Sequence, residues 1–181
     1  MNGKCIFLIG PRASGKTTFG GILARRLGCS FCDTDVLVQA EAGMDVAGIV
    51  AEDGWEGFRR RESTALRAAA RPDWVVATGG GMVLDEGNRN FMREAGVVIY
   101  LQVPAEILEQ RLTASLNPGL RPSLTGESPV EEVRRILAER EPLYRATAHI
   151  ILDASVSLNA LVPNALRELR GQFGLEGPDA G

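Results

Sequence analysis

A glycine-containing loop that directly follows a short apolar run constrains this chain more than any other feature. Residues 10–17 read G-P-R-A-S-G-K-T and fit the pattern G-x-x-x-x-G-K-[ST]. An apolar run at residues 4–9 precedes the loop, and residues 16–27 have the apolar spacing of a helix. The glycines let the backbone approach an anion closely, while the amide groups and the helix N-terminus provide a positive field. The sequence therefore predicts a phosphate-binding loop between a strand and a helix.

Two side chains at the end of this loop have the chemistry that a nucleotide phosphate requires. Lys16 is expected to reach the β- and γ-phosphates as a compact charge, and Thr17 to ligate Mg²⁺ through its hydroxyl group. The chain has two lysines, Lys4 and Lys16, among its 20 basic residues. Since a planar guanidinium would not fit inside the loop, a lysine here supports the interpretation. The residues of the loop predicted to bind ATP are Gly10, Ala13, Ser14, Gly15, Lys16, Thr17 and Thr18.

Short apolar runs alternate with helical patterns along the chain, which predicts βαβ units and a parallel sheet. The predicted strands are residues 4–9, 31–34, 74–78, 97–103 and 149–153. The predicted helices are residues 16–27, 55–71, 85–94, 104–116, 129–141 and 158–170. We therefore expect a three-layer α/β fold of the P-loop NTPase type with a five-stranded parallel sheet. A single domain is expected over residues 1–170, with a mobile lid at about residues 113–128 and a flexible tail at residues 171–181.

Composition argues against several classes of partner. The net charge of −3 and the pI of about 5.3 do not favour a basic face for a nucleic-acid backbone. No apolar run approaches the roughly 18 residues needed to span a bilayer. The three cysteines cannot all pair within one chain, which is typical of a reducing compartment. We expect a cytoplasmic monomer, with Cys29 and Cys32 as buried thiols rather than a redox pair or half a zinc site.

Two aspartates follow the second predicted strand and are candidates for chemistry beside the loop. Asp33 and Asp35 are two residues apart, so in an extended segment both carboxylates project to the same face. Ligands of open α/β sheets bind beyond the carboxyl ends of the strands, so the pair could divide the tasks of holding Mg²⁺ and receiving a hydroxyl proton. A helix N-cap at Asp35, before the apolar residues 36–40, is the structural alternative.

The motifs taken together resemble those of the shikimate kinase family. They are the loop at residues 10–17, D-T-D at 33–35, F-R-R-R-E at 58–62, T-G-G-G at 78–81, R-P at 121–122 and R-E-P-L-Y at 140–144. The resemblance covers nearly the whole chain and implies ATP-dependent phosphorylation of the 3-hydroxyl group of shikimate, in the biosynthesis of aromatic amino acids. It also implies a nucleoside-monophosphate-kinase-like form of the fold, and Mg²⁺ as the cofactor. The alternatives are a kinase for gluconate or a nucleoside monophosphate, or an ATP-binding module without catalysis.

On the acceptor side, the resemblance implies that two arginines hold the carboxylate of shikimate. These are Arg59 and Arg140, and Glu62, three residues after Arg59 on one helix face, is placed to restrain the guanidinium group. Asp35 would act as the base or would only orient the hydroxyl group. The implied acceptor-binding residues are Asp35, Arg59, Gly80, Gly81 and Arg140.

On the nucleotide side, the resemblance implies a lid arginine, Arg121, that approaches the phosphates, and Arg111 near the adenine. The implied catalytic residues are Lys16, Asp35 and Arg121, and the implied metal ligands are Thr17 and Asp33. The chain has Ala13 where the family commonly has glycine, so we expect the backbone there to avoid a positive φ.

Three further residues have structural interpretations. His149, the sole histidine, is expected in a strand with its ring hydrogen-bonded locally. Trp55 and Trp74 are expected to pack against neighbouring side chains rather than to contact a ligand.

Overall fold

The computed structural model describes residues 3–114, 129–175 and 177, and within these residues five parallel strands form one sheet. The strands are β1 Cys5–Ile9, β2 Ser30–Asp33, β3 Trp74–Ala77, β4 Gly96–Gln102 and β5 Ile150–Asp153. Their order across the sheet is β2-β3-β1-β4-β5, and the register pairs Leu8 of β1 with Ala77 of β3 and Ile99 of β4. Since all pairings are parallel, the carboxyl ends of the strands meet at one edge, where ligands of such sheets bind. The predicted fold class is confirmed.

Helices connect the strands and cover both faces of the sheet. They are α1 Lys16–Leu27, α2 Thr34–Ala42, α3 Val46–Ala69, α4 Glu86–Ala95, α5 Ala105–Ala114, α6 Pro129–Thr147 and α7 Leu158–Phe173. A 3₁₀ turn, Met82–Leu84, lies between β3 and α4. Helices α1, α5 and α7 contribute to the core on one face, α3 and α4 contribute to the core on the other, and α6 contacts both.

The central strand β1 is buried along its whole length, which explains its uninterrupted apolar sequence. Ile6 and Leu8 pack in the core with α1 and α7, whereas Phe7 and Ile9 pack with α4 and α6. This alternation follows from the two-residue period of a strand. The strand is therefore held from both faces, and the loop that leaves its carboxyl end begins from a fixed position.

The structure corrects the prediction for the segment after β2. The predicted helices leave out residues 34–54, where a helix capped at Asp35 was only the structural alternative, but α2 is present and Asp33 caps it by accepting from the amide of Asp35 at 2.9 Å. Helix α3 begins at Val46 rather than at residue 55, with Asp45 as its N-cap. Gly54 inside α3 has a φ of 70° and marks a kink. The two halves of α3 therefore have different directions, which obscures a single apolar period in the sequence.

The last two helices extend further than predicted. Helix α6 continues through Pro142 to Thr147, because Tyr144 beyond the proline is buried against the sheet and this packing offsets the lost backbone hydrogen bond. Helix α7 ends at Phe173, so the first residues of the predicted tail are helical.

The predicted lid falls largely outside the described residues. Its first two residues, 113 and 114, belong to α5, and residues 115–128 with Arg121 are not described. Among the described helices, none combines the length and the apolar character that crossing a bilayer requires.

Candidate active site

The loop between β1 and α1 has the backbone geometry of an anion cradle. Gly10 has a φ of 145° and Gly15 a φ of 91°, values that favour glycine. A Cβ at residue 10 would lie 2.9 Å from the carbonyl oxygen of Leu101, so a side chain is also excluded by space. Gly15 is the N-cap of α1 and has no side chain to cap the first turn. The amide groups of this turn therefore remain accessible to an anion.

Lys16 folds back over the loop that it follows. Its Nζ donates to the carbonyl oxygens of Gly10 and Pro11, both at 2.8 Å, and to Ser14 Oγ at 3.3 Å. These contacts enclose the ammonium group within the loop, as the sequence predicts. The charge of Lys16 is thus already located where the phosphates of a nucleotide would lie.

Ala13 contradicts the prediction that its backbone avoids a positive φ. The structure gives Ala13 a φ of 63°, in the left-handed region that an alanine enters at a cost of about 1–2 kcal/mol. Alanine is therefore tolerated here under strain, and the loop keeps the geometry that glycine would give it.

We expect Ala13→Gly to raise the free energy of unfolding by up to about 1 kcal/mol, because relief of the left-handed strain exceeds the added entropy of the unfolded chain. Urea denaturation measures the difference. Ala138→Gly, at an exposed position inside α6, is the matched control and should lower the free energy of unfolding by about 1 kcal/mol. If the free energy of unfolding fell in Ala13→Gly as well as in Ala138→Gly, the proposed strain at Ala13 would be wrong.

The hydroxyl group of Thr17 and the carboxylate of Asp33 meet beside the loop. Thr17 Oγ1 donates to Asp33 Oδ2 at 2.6 Å, while Asp33 Oδ1 caps α2. Asp33 is therefore the helix N-cap, and the alternative that placed the cap at Asp35 is wrong. Asp35 lies in the first turn of α2, with its carbonyl oxygen accepting from Gln39 Nε2 at 3.0 Å. Both aspartates line the same cleft, although a strand end followed by a helix replaces the predicted extended segment.

Three glycines after β3 make room for charged side chains. A Cβ at Gly79 would overlap Glu62 Oε1 and lie 2.8 Å from Asp35 Oδ1, and a Cβ at Gly81 would overlap the guanidinium group of Arg59. Arg59 forms an ion pair with the buried carboxylate of Glu62 through its Nη1, as the three-residue spacing predicts. The glycines thus allow Asp35, Glu62 and Arg59 to converge on one short loop.

Gly80, in the middle of this loop, receives hydrogen bonds from α6. Its carbonyl oxygen accepts from Arg140 Nη1 at 3.2 Å and from the hydroxyl group of Tyr144 at 2.6 Å. Arg140 is only 7% exposed, and its Nε has no acceptor within residues 3–114 and 129–175. Arg59 and Arg140 therefore approach the same loop, one at Gly81 and the other at Gly80.

The glycine loop after β3 contacts the phosphate-binding loop. A Cβ at Gly80 would lie 3.4 Å from the amide nitrogen of Arg12 and 3.5 Å from the carbonyl oxygen of Gly10. The cleft above the phosphate-binding loop has a volume of about 360 Å³. It is lined by Arg12, Ala13, Gly15, Lys16, Thr17, Thr18, Asp33, Asp35, Gln39, Val46, Thr78 and Gly80.

Four of these lining residues were not predicted as site residues. Arg12 occupies a variable position of the loop pattern, so its position within the motif was the signal that could have identified it. Gln39 and Val46 reach the cleft from α2 and the start of α3, which the sequence pattern did not reveal. Thr78 is buried, and its Oγ1 donates to the carbonyl oxygen of Leu8 at 2.9 Å. That bond ties the start of the glycine loop to β1.

Arg111 lies between the phosphate-binding loop and the segment after β5. Its Nη1 donates to the carbonyl oxygen of Ala13 at 3.2 Å, and its Nη2 to that of Ala154 at 2.9 Å. This is the region where the adenine is expected. Contact between Arg111 and the adenine stays a prediction, as does the role of Arg121, which lies outside the described residues.

Cys5 is buried, whereas Cys29 and Cys32 are half-buried rather than buried as predicted. Burial raises the pKa of Cys5 to about 12 and that of Cys32 to about 11, and it also raises the pKa of Cys29. All three thiols are free and remain protonated at neutral pH. They therefore act as small packing groups.

The histidine and the tryptophans have the predicted structural contacts. His149 was predicted in a strand but lies just before β5, where its Nδ1 accepts from the amide of Val98 at 3.0 Å, so the predicted local hydrogen bond is present. Burial, with the charges of Arg93 and Lys4, lowers the pKa of His149. Trp55 packs edge to face against Phe58, and Trp74 packs at the margin of the core.

Comparisons with known proteins identify the family of the chain. The family model described as shikimate kinase matches residues 12–170. Shikimate kinase 2 from Syntrophotalea carbinolica is 54% identical over 169 residues, which are 93% of this chain and 98% of the relative. A solved shikimate kinase from Acinetobacter baumannii in complex with shikimate is 34% identical with a TM-score of 0.88, covering 95% of this chain and 96% of that chain. A gluconokinase from Sinorhizobium meliloti is 18% identical with a TM-score of 0.58, covers 93% of each chain, and shares the fold alone.

Proposed function

Because the chain belongs to the shikimate kinase family, we propose that it transfers the γ-phosphoryl group of ATP to the 3-hydroxyl group of shikimate. The products are shikimate 3-phosphate and ADP, in the biosynthesis of aromatic amino acids. One observation carries the proposal: Arg59 and Arg140 converge on the glycine loop after β3, and that loop contacts the phosphate-binding loop. A carboxylate held by the arginines would thus lie within one small-molecule length of the phosphates.

The phosphate-binding loop holds the donor. The amide groups of the first turn of α1 bind the phosphate oxygens, and Lys16 exchanges its contacts with the carbonyl oxygens of Gly10 and Pro11 for the β- and γ-phosphates. Arg121 is proposed to bring a further positive charge when the lid covers the nucleotide. Arg111 lies beside the adenine.

The opposite side of the cleft holds the acceptor. Arg59, restrained by Glu62, and the buried Arg140 grip the carboxylate of shikimate. Asp35 faces Gly79 from the start of α2 and orients the hydroxyl group that attacks, or accepts its proton. Because phosphoryl transfer depends mainly on positioning and on charge, the two loops fix the geometry of the reaction.

Thr17 and Asp33 have the donor atoms that fit Mg²⁺. Their side-chain oxygens are 2.6 Å apart at the edge of the phosphate-binding loop, and both are hard oxygen ligands. Mg²⁺ is usually held by one or two protein oxygens together with substrate phosphates and water. When bound, Mg²⁺ supplies charge neutralisation at the phosphate oxygens. Thr17 and Asp33 would hold the ion next to the loop. As a separate point, we propose that the chain works as a cytoplasmic monomer.

Purified protein with ATP, Mg²⁺ and shikimate tests the proposed function. We expect shikimate 3-phosphate, identified by mass spectrometry or ³¹P NMR, and stoichiometric release of ADP. Gluconate and nucleoside monophosphates in place of shikimate should give no phosphorylated product. Phosphorylation of gluconate but not of shikimate would assign the chain to another acceptor, and nucleotide binding without ADP release would make it a silent binding module.

Gly81→Ala should weaken binding of the acceptor selectively. The added methyl group overlaps the guanidinium group of Arg59, so Arg59 must leave its position beside the loop. We expect the KM for shikimate to rise about tenfold or more, because charged hydrogen bonds contribute about 1.5–3 kcal/mol each, while the KM for ATP stays within twofold. Gly21→Ala is the control, since a Cβ there meets no atom within 4 Å. An unchanged KM for shikimate in Gly81→Ala would contradict the role of Arg59.

A further inference from the structure

The carbonyl oxygen of Gly80 is held by two side chains of α6 at once. Arg140 and Tyr144 are four residues apart, so they lie on the same face of the helix, one turn from each other. Tyr144 makes the shorter bond, at 2.6 Å, against 3.2 Å for Arg140 Nη1. The hydroxyl group of Tyr144 is thus the main donor to a carbonyl group of the loop that faces the acceptor.

The ring of Tyr144 is itself fixed in place. It is 1% exposed and stacks on the ring of Tyr100, with the centroids 5.0 Å apart and the planes at 20°. The hydroxyl group of Tyr100 donates to the carboxylate of Glu141, which also accepts from Gln102 Nε2 at 3.1 Å and from Arg145 Nε at 2.7 Å. The ring stack therefore joins β4 to Tyr144, and the hydroxyl group of Tyr144 joins it to Gly80, while the hydroxyl group of Tyr100 belongs to a separate set of contacts around Glu141.

Burial also keeps the hydroxyl group of Tyr144 protonated. Loss of solvent raises the pKa of Tyr144 to about 12, although the charge and the hydrogen bond of Arg140 act to lower it, so the group is a hydrogen-bond donor throughout the neutral range. No peptide bond of the described chain is cis, and in a trans peptide the C=O and N–H groups point in opposite directions. Because the carbonyl group of Gly80 points towards α6, the N–H group of Gly81 points away from α6. The orientation of one peptide group of the glycine loop thus depends on Tyr144.

We propose that Tyr144 is a positioning residue for the acceptor: its hydroxyl group holds the Gly80 carbonyl and leaves the guanidinium group of Arg140 directed at the carboxylate of shikimate. The two donors share one acceptor atom, so without the hydroxyl group Arg140 becomes the only α6 donor to Gly80 among the described contacts. It is then drawn towards the backbone and away from the acceptor. The inference rests on the proposed function, because it concerns the same site.

Tyr144→Phe tests the inference, because it keeps the ring and the stack and removes one hydroxyl group. We expect the KM for shikimate to rise about tenfold, as loss of one well-placed hydrogen bond allows, with the KM for ATP within twofold of wild type. Tyr100→Phe is the matched control, since it also removes a phenol hydroxyl group but leaves both donors to Gly80. It should keep both KM values within twofold. If Tyr144 had a purely structural role, Tyr144→Phe would lower the thermal stability but would not raise the KM for shikimate selectively over the KM for ATP.

Fluorine NMR provides a second measurement that does not need the Tyr144→Phe variant to fold. The chain has two tyrosines, so 3-fluorotyrosine incorporated into Tyr100→Phe labels Tyr144 alone. The resonance should shift when shikimate is added and should not shift with ATP alone. An unshifted resonance, or an unchanged KM for shikimate in Tyr144→Phe, overturns the inference. If the wild-type enzyme makes no shikimate 3-phosphate, the proposed function itself fails, and the two failures are thereby distinguished.

Discussion

Replacing Lys16 with methionine is expected to lower kcat by about 10³-fold, because its ammonium group is enclosed by the loop where the reacting phosphates would lie. Methionine keeps the length of the side chain and removes the charge. The amide groups of the loop remain, so ATP should still bind with weakened affinity. Steady-state ADP release at saturating ATP and shikimate measures kcat, and calorimetric titration with the magnesium nucleotide measures binding.

The structure also predicts that arginine cannot substitute for Lys16. The ammonium group lies 2.8 Å from two carbonyl oxygens of the loop, and a planar guanidinium is too large for this space. Lys16→Arg should therefore lose activity nearly as strongly as Lys16→Met. Lys4→Met is the control, because Lys4 lies at the amino end of β1, with its Nζ 5.6 Å from the ring centroid of Phe173. A kcat within tenfold of wild type for Lys16→Met would contradict the role of the lysine.

The parts of the fold that the sequence predicts best are those with local signals. Helix α1 was predicted with its observed bounds, because the loop pattern defines its first residue and Gly28, with a φ of 67°, ends it. The strands were recognised as apolar runs, since β1, β3 and β4 are almost wholly buried and need no alternation, whereas the edge strands β2 and β5 are partly exposed. The sequence also predicted correctly that Lys16, Thr17 and Asp33 lie beside one another. This prediction was possible because the carboxyl ends of parallel strands meet at one edge of the sheet.

The parts that were missed lack a local signal. In α2, Val36 and Leu37 are 58% and 37% exposed, so the apolar residues do not mark a buried face. The sequence also does not show that the glycines at 79 and 81 make space for Glu62, Asp35 and Arg59, since these partners come from other elements. Likewise Tyr144 meets Gly80 across 64 positions of the chain. The left-handed backbone of Ala13 is imposed by the loop and opposes the preference of the residue itself.

Arg140 should determine the preference for an acidic acceptor. It is buried, and the structure places its guanidinium group at Gly80 with an Nε that has no acceptor in the described chain. A shikimate carboxylate would therefore meet a charge that is already desolvated and directed. Removing one partner of such a buried charge pair costs about 2–5 kcal/mol, which is a loss of at least about 30-fold in kcat/KM. We expect this loss for Arg140→Met with shikimate.

Comparison of shikimate with its methyl ester isolates the contact between Arg140 and the carboxylate. The ester keeps the ring and the 3-hydroxyl group but has no negative charge, so the wild-type enzyme should prefer the acid strongly. In Arg140→Met the preference should fall at least about 30-fold, whereas kcat/KM for the ester should change little. Arg60→Met is the control, because the side chain of Arg60 is 67% exposed and pairs with the exposed Glu56. Equal losses for acid and ester would mean that Arg140 supports the fold of the glycine loop and not recognition of the carboxylate.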